Sequence, residues 1–220
     1  LYRIAEVMEG RKSQFIDELI LQGATEKAAV TEVQTAIDRM VYYAGWCDKY
    51  LQIFSSINPV ASSHFNFSVA EPMGVVSVVA DEETSLIGIV SAIAPLIAGG
   101  NTCVVLASEL KPLCSITLAE VLHSSDVLGG VVNILTGKSS ELVSHFSSHM
   151  DVNAFLYCRN NKEEILTAQQ NASNNVMRFN AYQKNWNKND SQSPYYILDF
   201  QEIKTTWHPI ENIGGVGSKY

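Results

Sequence analysis

Residues 75–80 read Val-Val-Ser-Val-Val-Ala, an unbroken and mostly β-branched run. Such a run suits a strand buried on both faces, so the sheet that holds it needs a layer on either side. Comparable runs follow at 102–107 (TCVVLA), 131–135 (VVNIL) and 152–157 (VNAFLY). Between and after them lie helical stretches: the apolar segment near 85–98, the stretch from Pro112 through Cys114, Ile116, Leu118, Val121 and Leu122, then Ser140 to His149, and Lys162 to Gln170. Strand and helix in this alternation predict an α/β fold, a Rossmann-like parallel sheet with helices on both faces.

The flanks differ from this body. Residues 1–55 carry apolar residues at helical spacing and predict a helix pair. Gly23 breaks the pattern, and Thr25 is placed to cap the second, longer helix. Residues 63–71 then alternate, with Phe65, Phe67 and Val69 set against His64, Asn66 and Ser68, which predicts a half-buried strand. Residues 171–197, rich in Asn, Ser and Lys, read as an irregular connector around a strand-like stretch from Val176 to Tyr182. Strand character returns from Tyr195. The domain scheme is therefore 1–170 for the helix pair and Rossmann-like unit, with 63–71 as an outlying strand. It continues with 171–197 as connector, 198–210 as a C-terminal strand and 211–220 as a flexible, Gly-rich tail.

Composition narrows the class of partner. Of 220 residues, 46% are hydrophobic, enough for a real core, and the formal charge is −8. An acidic chain with no Lys/Arg run predicts no nucleic-acid and no anionic membrane partner. The apolar segment Leu86–Ala98 is too short for a membrane span, which needs about 20 residues. The sequence opens on Leu1 and not Met, so it reads as part of something longer. Cys47, Cys103, Cys114 and Cys158 form no CxxC pair and read as free thiols of a reducing, cytoplasmic compartment. The glycosylation triplets at Asn66, Asn171 and Asn189 read as chance occurrences.

Several motifs have plainer accounts. A GxGxxG turn after the first parallel strand would signal dinucleotide binding. That position holds Asp81-Glu82-Glu83-Thr84-Ser85 instead. Three carboxylates there would repel a pyrophosphate, and the plainer account is acidic capping of the next helix. Gly137-Lys138-Ser139 resembles the end of a phosphate loop, but Val132 stands where the loop needs its first glycine. His145 and His149 have helical i, i+4 spacing without a third ligand nearby, so no metal site is expected. Cys158, beside Arg159, is the best placed thiol for a nucleophile, yet it reads as structural, and no catalytic residue is assigned.

A set of segments in fixed order resembles the aldehyde dehydrogenase superfamily. They are Tyr42-Tyr43-Ala44-Gly45, Glu71-Pro72-Met73-Gly74-Val75-Val76, Ala98-Gly99-Gly100-Asn101-Thr102, Ser108-Glu109-Leu110-Lys111-Pro112-Leu113, Val131 to Gly137, and Gln201 to Trp207. The resemblance implies a Rossmann-like domain, an oligomerisation flap built from 63–71 and 198–207, and NAD as the family's cofactor.

The departures from the family pattern are as telling. The family carries Pro-Trp-Asn-Phe-Pro after the first strand, and its Asn steadies the developing oxyanion. Here Glu83 stands at that position, where a carboxylate opposes an oxyanion. The family's ribose-binding Lys is replaced by Leu106, while Glu109 is kept, a vestigial cofactor-binding candidate. Arg159-Asn160-Asn161 replaces a Gly-Ser-Thr turn. The family then has a catalytic domain with the nucleophilic Cys, whereas here only about forty residues separate the fourth parallel strand from the oligomerisation strand, so that domain is expected to be missing.

A degenerate unit of this kind resembles the C-terminal half of the two-unit aldehyde dehydrogenases known as family 16. The implied function is a non-catalytic scaffold for an upstream catalytic unit of the same protein, or for another copy, with no bound cofactor. The alternative is the NAD-binding part of an active enzyme oxidising aldehydes to carboxylic acids.

Overall fold

A computed structural model describes residues 1–210; the expected tail at 211–220 lies outside the described residues. The body is a five-stranded parallel sheet, and a separate three-stranded antiparallel sheet forms the flap.

Four helices precede the sheet: α1 (Tyr2–Gly10), α2 (Lys12–Leu21), α3 (Glu26–Ala44) and α4 (Tyr50–Phe54). The expected pair is therefore subdivided. One break falls at Gly10-Arg11 and the other at Gly45, a residue type that weakens helix continuation. Thr25 does cap α3, its Oγ1 accepting the Ala28 N–H at 3.3 Å.

The flap strands are β1 (Ser56–Asn58) and β2 (His64–Pro72). The body then runs β3 (Val75–Val79), α5 (Ile87–Ala98), β4 (Thr102–Leu106), α6 (Leu113–His123), β5 (Val132–Leu135), α7 (Ser139–Ser148), β6 (Ala154–Tyr157) and α8 (Lys162–Asn174). It closes with β7 (Arg178–Ala181), a short helix α9 (Tyr195–Leu198) and the last flap strand, β8 (Gln201–Pro209). The parallel order is β5-β4-β3-β6-β7, which reverses direction beside β3. Ligands of doubly wound sheets bind at such a switch point, above the strand C-termini.

The β-branched runs are buried on both faces as their composition requires. Val76 and Val78 of β3 face the larger core under α1–α3, α5 and α6, while Val79 faces a smaller core with Val143, Phe146, Phe155 and Tyr157. Gly74, at φ +123°, lets the chain enter β3; a Cβ there would lie 2.5 Å from Asn153 Oδ1.

Three expectations need correction. The connector is not irregular throughout: β7 joins the parallel sheet beside β6, because the strand-like stretch it contains finds an open edge there. Val176 is outside that strand, at φ +58° and exposed. Residues 195–198 are helical and not extended, because Pro194 sets a turn and Ile197 is driven into the core against α5. Finally, α5 is not capped by the acidic loop before it. Glu32, projecting from α3, accepts the N–H groups of Leu86 and Ile87 at 2.8 and 3.2 Å.

In the flap, β2 lies between β1 and β8. Ser56, Asn58, Asn66, Ser68 and Thr205 share one face in a ladder of side-chain hydrogen bonds. Asn66 is only 3% exposed, which closes that triplet to a glycan in the folded chain. The body holds the start of β8 firmly. Gln201 donates to Gly99 O at 2.9 Å, and Arg178 Nη1 donates to Gln201 O at 2.7 Å. Beyond it, Glu202–Pro209 is exposed throughout.

Candidate functional site

The site expected from the topology lies above the C-terminal ends of β3, β4 and β6. Arg159, two residues past β6, crosses these ends. Its Nε donates to Ala80 O at 3.0 Å, Nη2 to Ala107 O at 3.0 Å, and Nη1 to Glu109 Oε1 at 2.8 Å. Nη2 also lies 2.9 Å from Glu82 Oε2, an ion pair without hydrogen-bond alignment. The side chain is 9% exposed. One guanidinium thus ties the chain after three neighbouring strands to two carboxylates, using the planar fork that suits Arg to such a place.

The acidic loop is largely consumed by local bonds. Asp81 Oδ2 accepts from Thr84 N and Oγ1 at 3.0 and 2.8 Å. Glu82 Oε1 accepts from Ser108 Oγ and Leu110 N at 2.8 and 2.7 Å. The side chain of Glu83 is exposed at the rim of the cleft. Glu109 Oε1 accepts the Ser139 N–H at 2.6 Å as well as Arg159. Burial pushes the Glu109 carboxyl up, but the Ser139 and Arg159 bonds outweigh it and hold it below the ordinary carboxylate value.

A cleft of about 790 Å³ opens between this mouth and the segment 183–187. Asp81, Glu82, Glu83 and Glu164 line it against Arg159 and Lys184, so its charge is acidic. The outer wall is held by Arg39, which the sequence reading did not single out. Its buried guanidinium donates to Ser91 Oγ, Ser191 O, Trp186 O and Lys188 O at 2.8–3.2 Å. A lone Arg on an otherwise apolar helix face is the only signal that could have marked it.

The remaining candidates are kept apart. Cys158 is 3% exposed, and burial pushes its thiol far up, with Asp81 adding to the shift and Arg159 opposing it. Burial also pushes Cys103 and Cys114 up to about 12. A nucleophilic thiol needs the opposite environment. His145 and His149 are exposed, and among the described residues no three His, Cys, Asp or Glu side chains stand together for a metal. No helix among them is long and apolar enough to cross a membrane.

The fit to NAD can be tested on these residues. Leu106 is fully buried and offers no donor to a ribose. The one acid retained from the family pattern, Glu109, is engaged inside the chain. The N-terminus of α8 also borders the cleft, and there Asn161 Oδ1 already accepts the N–H groups of Glu163 and Glu164 at 3.1 and 3.3 Å. Those two glutamates add negative charge to the same turn. These features oppose the binding of a dinucleotide.

The fold and its mouth define a doubly wound α/β unit carrying an antiparallel flap. Residues 1–174 match the model of the aldehyde dehydrogenase family, and the chain belongs to that family. Among curated relatives, cytosolic 10-formyltetrahydrofolate dehydrogenase of Xenopus tropicalis is 33% identical over 155 residues, 69% of this chain and 17% of that protein. Omega-crystallin of Enteroctopus dofleini is 28% identical over 180 residues, 81% of this chain and 36% of that protein. A Bacillus cereus aldehyde dehydrogenase solved as an NAD+ complex superposes with TM-score 0.77 at 20% identity, covering 82% of this chain and 36% of that one. The chain thus spans between 17% and 36% of the length of these proteins.

Proposed function

We propose that this chain is a non-catalytic aldehyde dehydrogenase-like unit, a structural and oligomerisation scaffold for an upstream aldehyde dehydrogenase unit of the same protein. The observation that carries the reading is the flap. Its edge strand β8 leaves the body after Gln201 and exposes Ile203 and Trp207 by 53% and 58%. A small antiparallel sheet with one long edge unpaired among the described residues is marginal until that edge is paired.

The mouth supports the same reading. Arg159, Glu82 and Glu109 satisfy one another where an enzyme of this fold would hold its cofactor, and Glu83 stands where an amide donor is needed. The scaffold binds no NAD and supplies no nucleophile. Its partner is a catalytic unit in the same chain, another copy, or both.

The test replaces Ile203 by Pro, which removes a donor from an edge strand without touching the core. The variant should keep the far-ultraviolet circular dichroism of the parent while losing association in size-exclusion chromatography with light scattering. Unchanged association contradicts the scaffold role.

A further inference from the structure

The outer wall of the cleft belongs to a segment that the body holds at few points. Residues 183–193 run between β7 and α9 with no regular structure beyond one short 3-10 turn at Asn189–Ser191. Both ends are fixed. Tyr182 N donates to Tyr157 O at 2.9 Å, and Ile197 of α9 is buried in the core. Between those ends the main-chain bonds stay local, Lys188 N to Asn185 O and Ser191 N to Lys188 O, both at 3.1 Å. None of them reaches the sheet among the described residues.

Among those residues, the hydrogen bonds that tie the segment to the body come from one face of α3. Arg39 forks onto the carbonyls of Trp186, Lys188 and Ser191. One turn along, Tyr43 Oη accepts from Ser193 N at 3.3 Å. The indole of Trp186, 1% exposed, adds buried apolar surface.

Closure also carries an opposing cost. Arg39 Nε and Trp186 Nε1 are buried and find no acceptor among the described residues. An unmet buried donor and a buried charge without a counter-charge both disfavour the closed arrangement. Burial pulls the Arg39 guanidinium below its ordinary value, and the groups that oppose this are the hydroxyls of Tyr43, Tyr196 and Tyr42, with no carboxylate among them.

We propose that residues 183–193 form a strap that opens as a unit while the parallel sheet stays folded, with Arg39 as its latch. Opening carries residues 183–187 away from the cleft they line, so the strap gates entry to it. In the open form the guanidinium and the indole N–H meet water, which offsets the lost carbonyl bonds. Segments with few ties to the body lie at the low end of local stability. The inference does not depend on the scaffold reading.

Trypsin reads the latch directly, because the carbonyl it must attack after Lys188 is the one that Arg39 Nη2 holds at 3.1 Å. The test uses the full chain with Lys184→Gln, which leaves Lys188 as the one basic residue of the strap. Cutting after Arg178, inside β7, reports loss of the sheet. The first cut should follow Lys188, about tenfold or more slower than in a free peptide of residues 183–193. Low urea should change its rate little while cutting after Arg178 rises steeply. Arg39→Lys keeps the charge but not the fork, and should raise the ratio of Lys188 to Arg178 cutting about tenfold. Trp186→Ala should raise that ratio as well. Two cuts that share one rate throughout the urea series, or a Lys188 cut as fast as in the free peptide, overturn the proposal. So does an unchanged ratio in both variants. If neither variant folds, the urea series of the parent decides.

Discussion

The mouth of the parallel sheet and the edge of the flap make opposite use of main-chain polar groups. At the mouth, carbonyls that follow β3 and β4 are taken up by Arg159, and the N-terminus of α8 is taken up by Asn161. At the flap, Ile210 N donates to Ser63 O, and the unbroken β2–β8 register from that bonded pair turns the donors and acceptors of Ile203, Thr205 and Trp207 away from β2. The first region is satisfied from within, and the second leaves this row without a partner among the described residues. On the proposed scaffold reading, that contrast places the purpose of this chain at the flap.

The largest expected effect breaks the mouth. Arg159→Ala leaves the Ala80 and Ala107 carbonyls without their donor, and an unsatisfied buried polar group costs about 1–3 kcal/mol. Urea denaturation should show that loss. If the contrast is right, association through the flap is unchanged wherever the variant remains folded.

Glu32→Ala comes next. It removes the cap of α5, the helix under the acidic loop, and should cost about 1 kcal/mol. A denaturant midpoint shift with an unchanged slope would confirm a purely local effect. Ile203→Pro sharpens the other side. Because the Ile203 N–H points outward, stability should change by less than about 1 kcal/mol while association is lost. A cooperative loss of folding would mean that β8 merely covers the body.

The smallest effect is a pH dependence. The carboxyl of Glu109 is held below its ordinary value near 4.5. Its contribution is therefore fully present above that value and is lost as the pH falls through the lower folded one. Glu109→Gln should be less stable than the parent at neutral pH, and the difference should vanish on acidification. A constant difference across that range would show that the Arg159 bond does not depend on the charge.

Much of this architecture is legible in the sequence, because it follows from local pattern. The run at 75–80 forces a strand buried on both faces, the alternation after it forces a parallel sheet, and Thr25 announces its helix. The subdivision of the first helices, the helical turn at 195–198 and the fifth strand depend on what packs against them, which periodicity does not encode. The same holds for the polar network. Glu32 caps a helix begun more than fifty positions later, and Arg39 holds a wall near residue 190. Arg159 could be seen as a departure from the family pattern, but its partners at Ala80, Ala107 and Glu109 come together only in the fold. The resemblance marks Glu109 as a cofactor residue, and in the fold its carboxylate is bonded to Ser139 and Arg159.

The central claim, that the mouth has given up the cofactor while the flap keeps its role in assembly, is tested most directly by titrating the folded chain with NAD in a calorimeter. The account predicts no saturable heat up to millimolar ligand, because Leu106 offers no donor, Asn161 caps α8 and the cleft is lined with carboxylates. A saturable isotherm with a micromolar dissociation constant would contradict it.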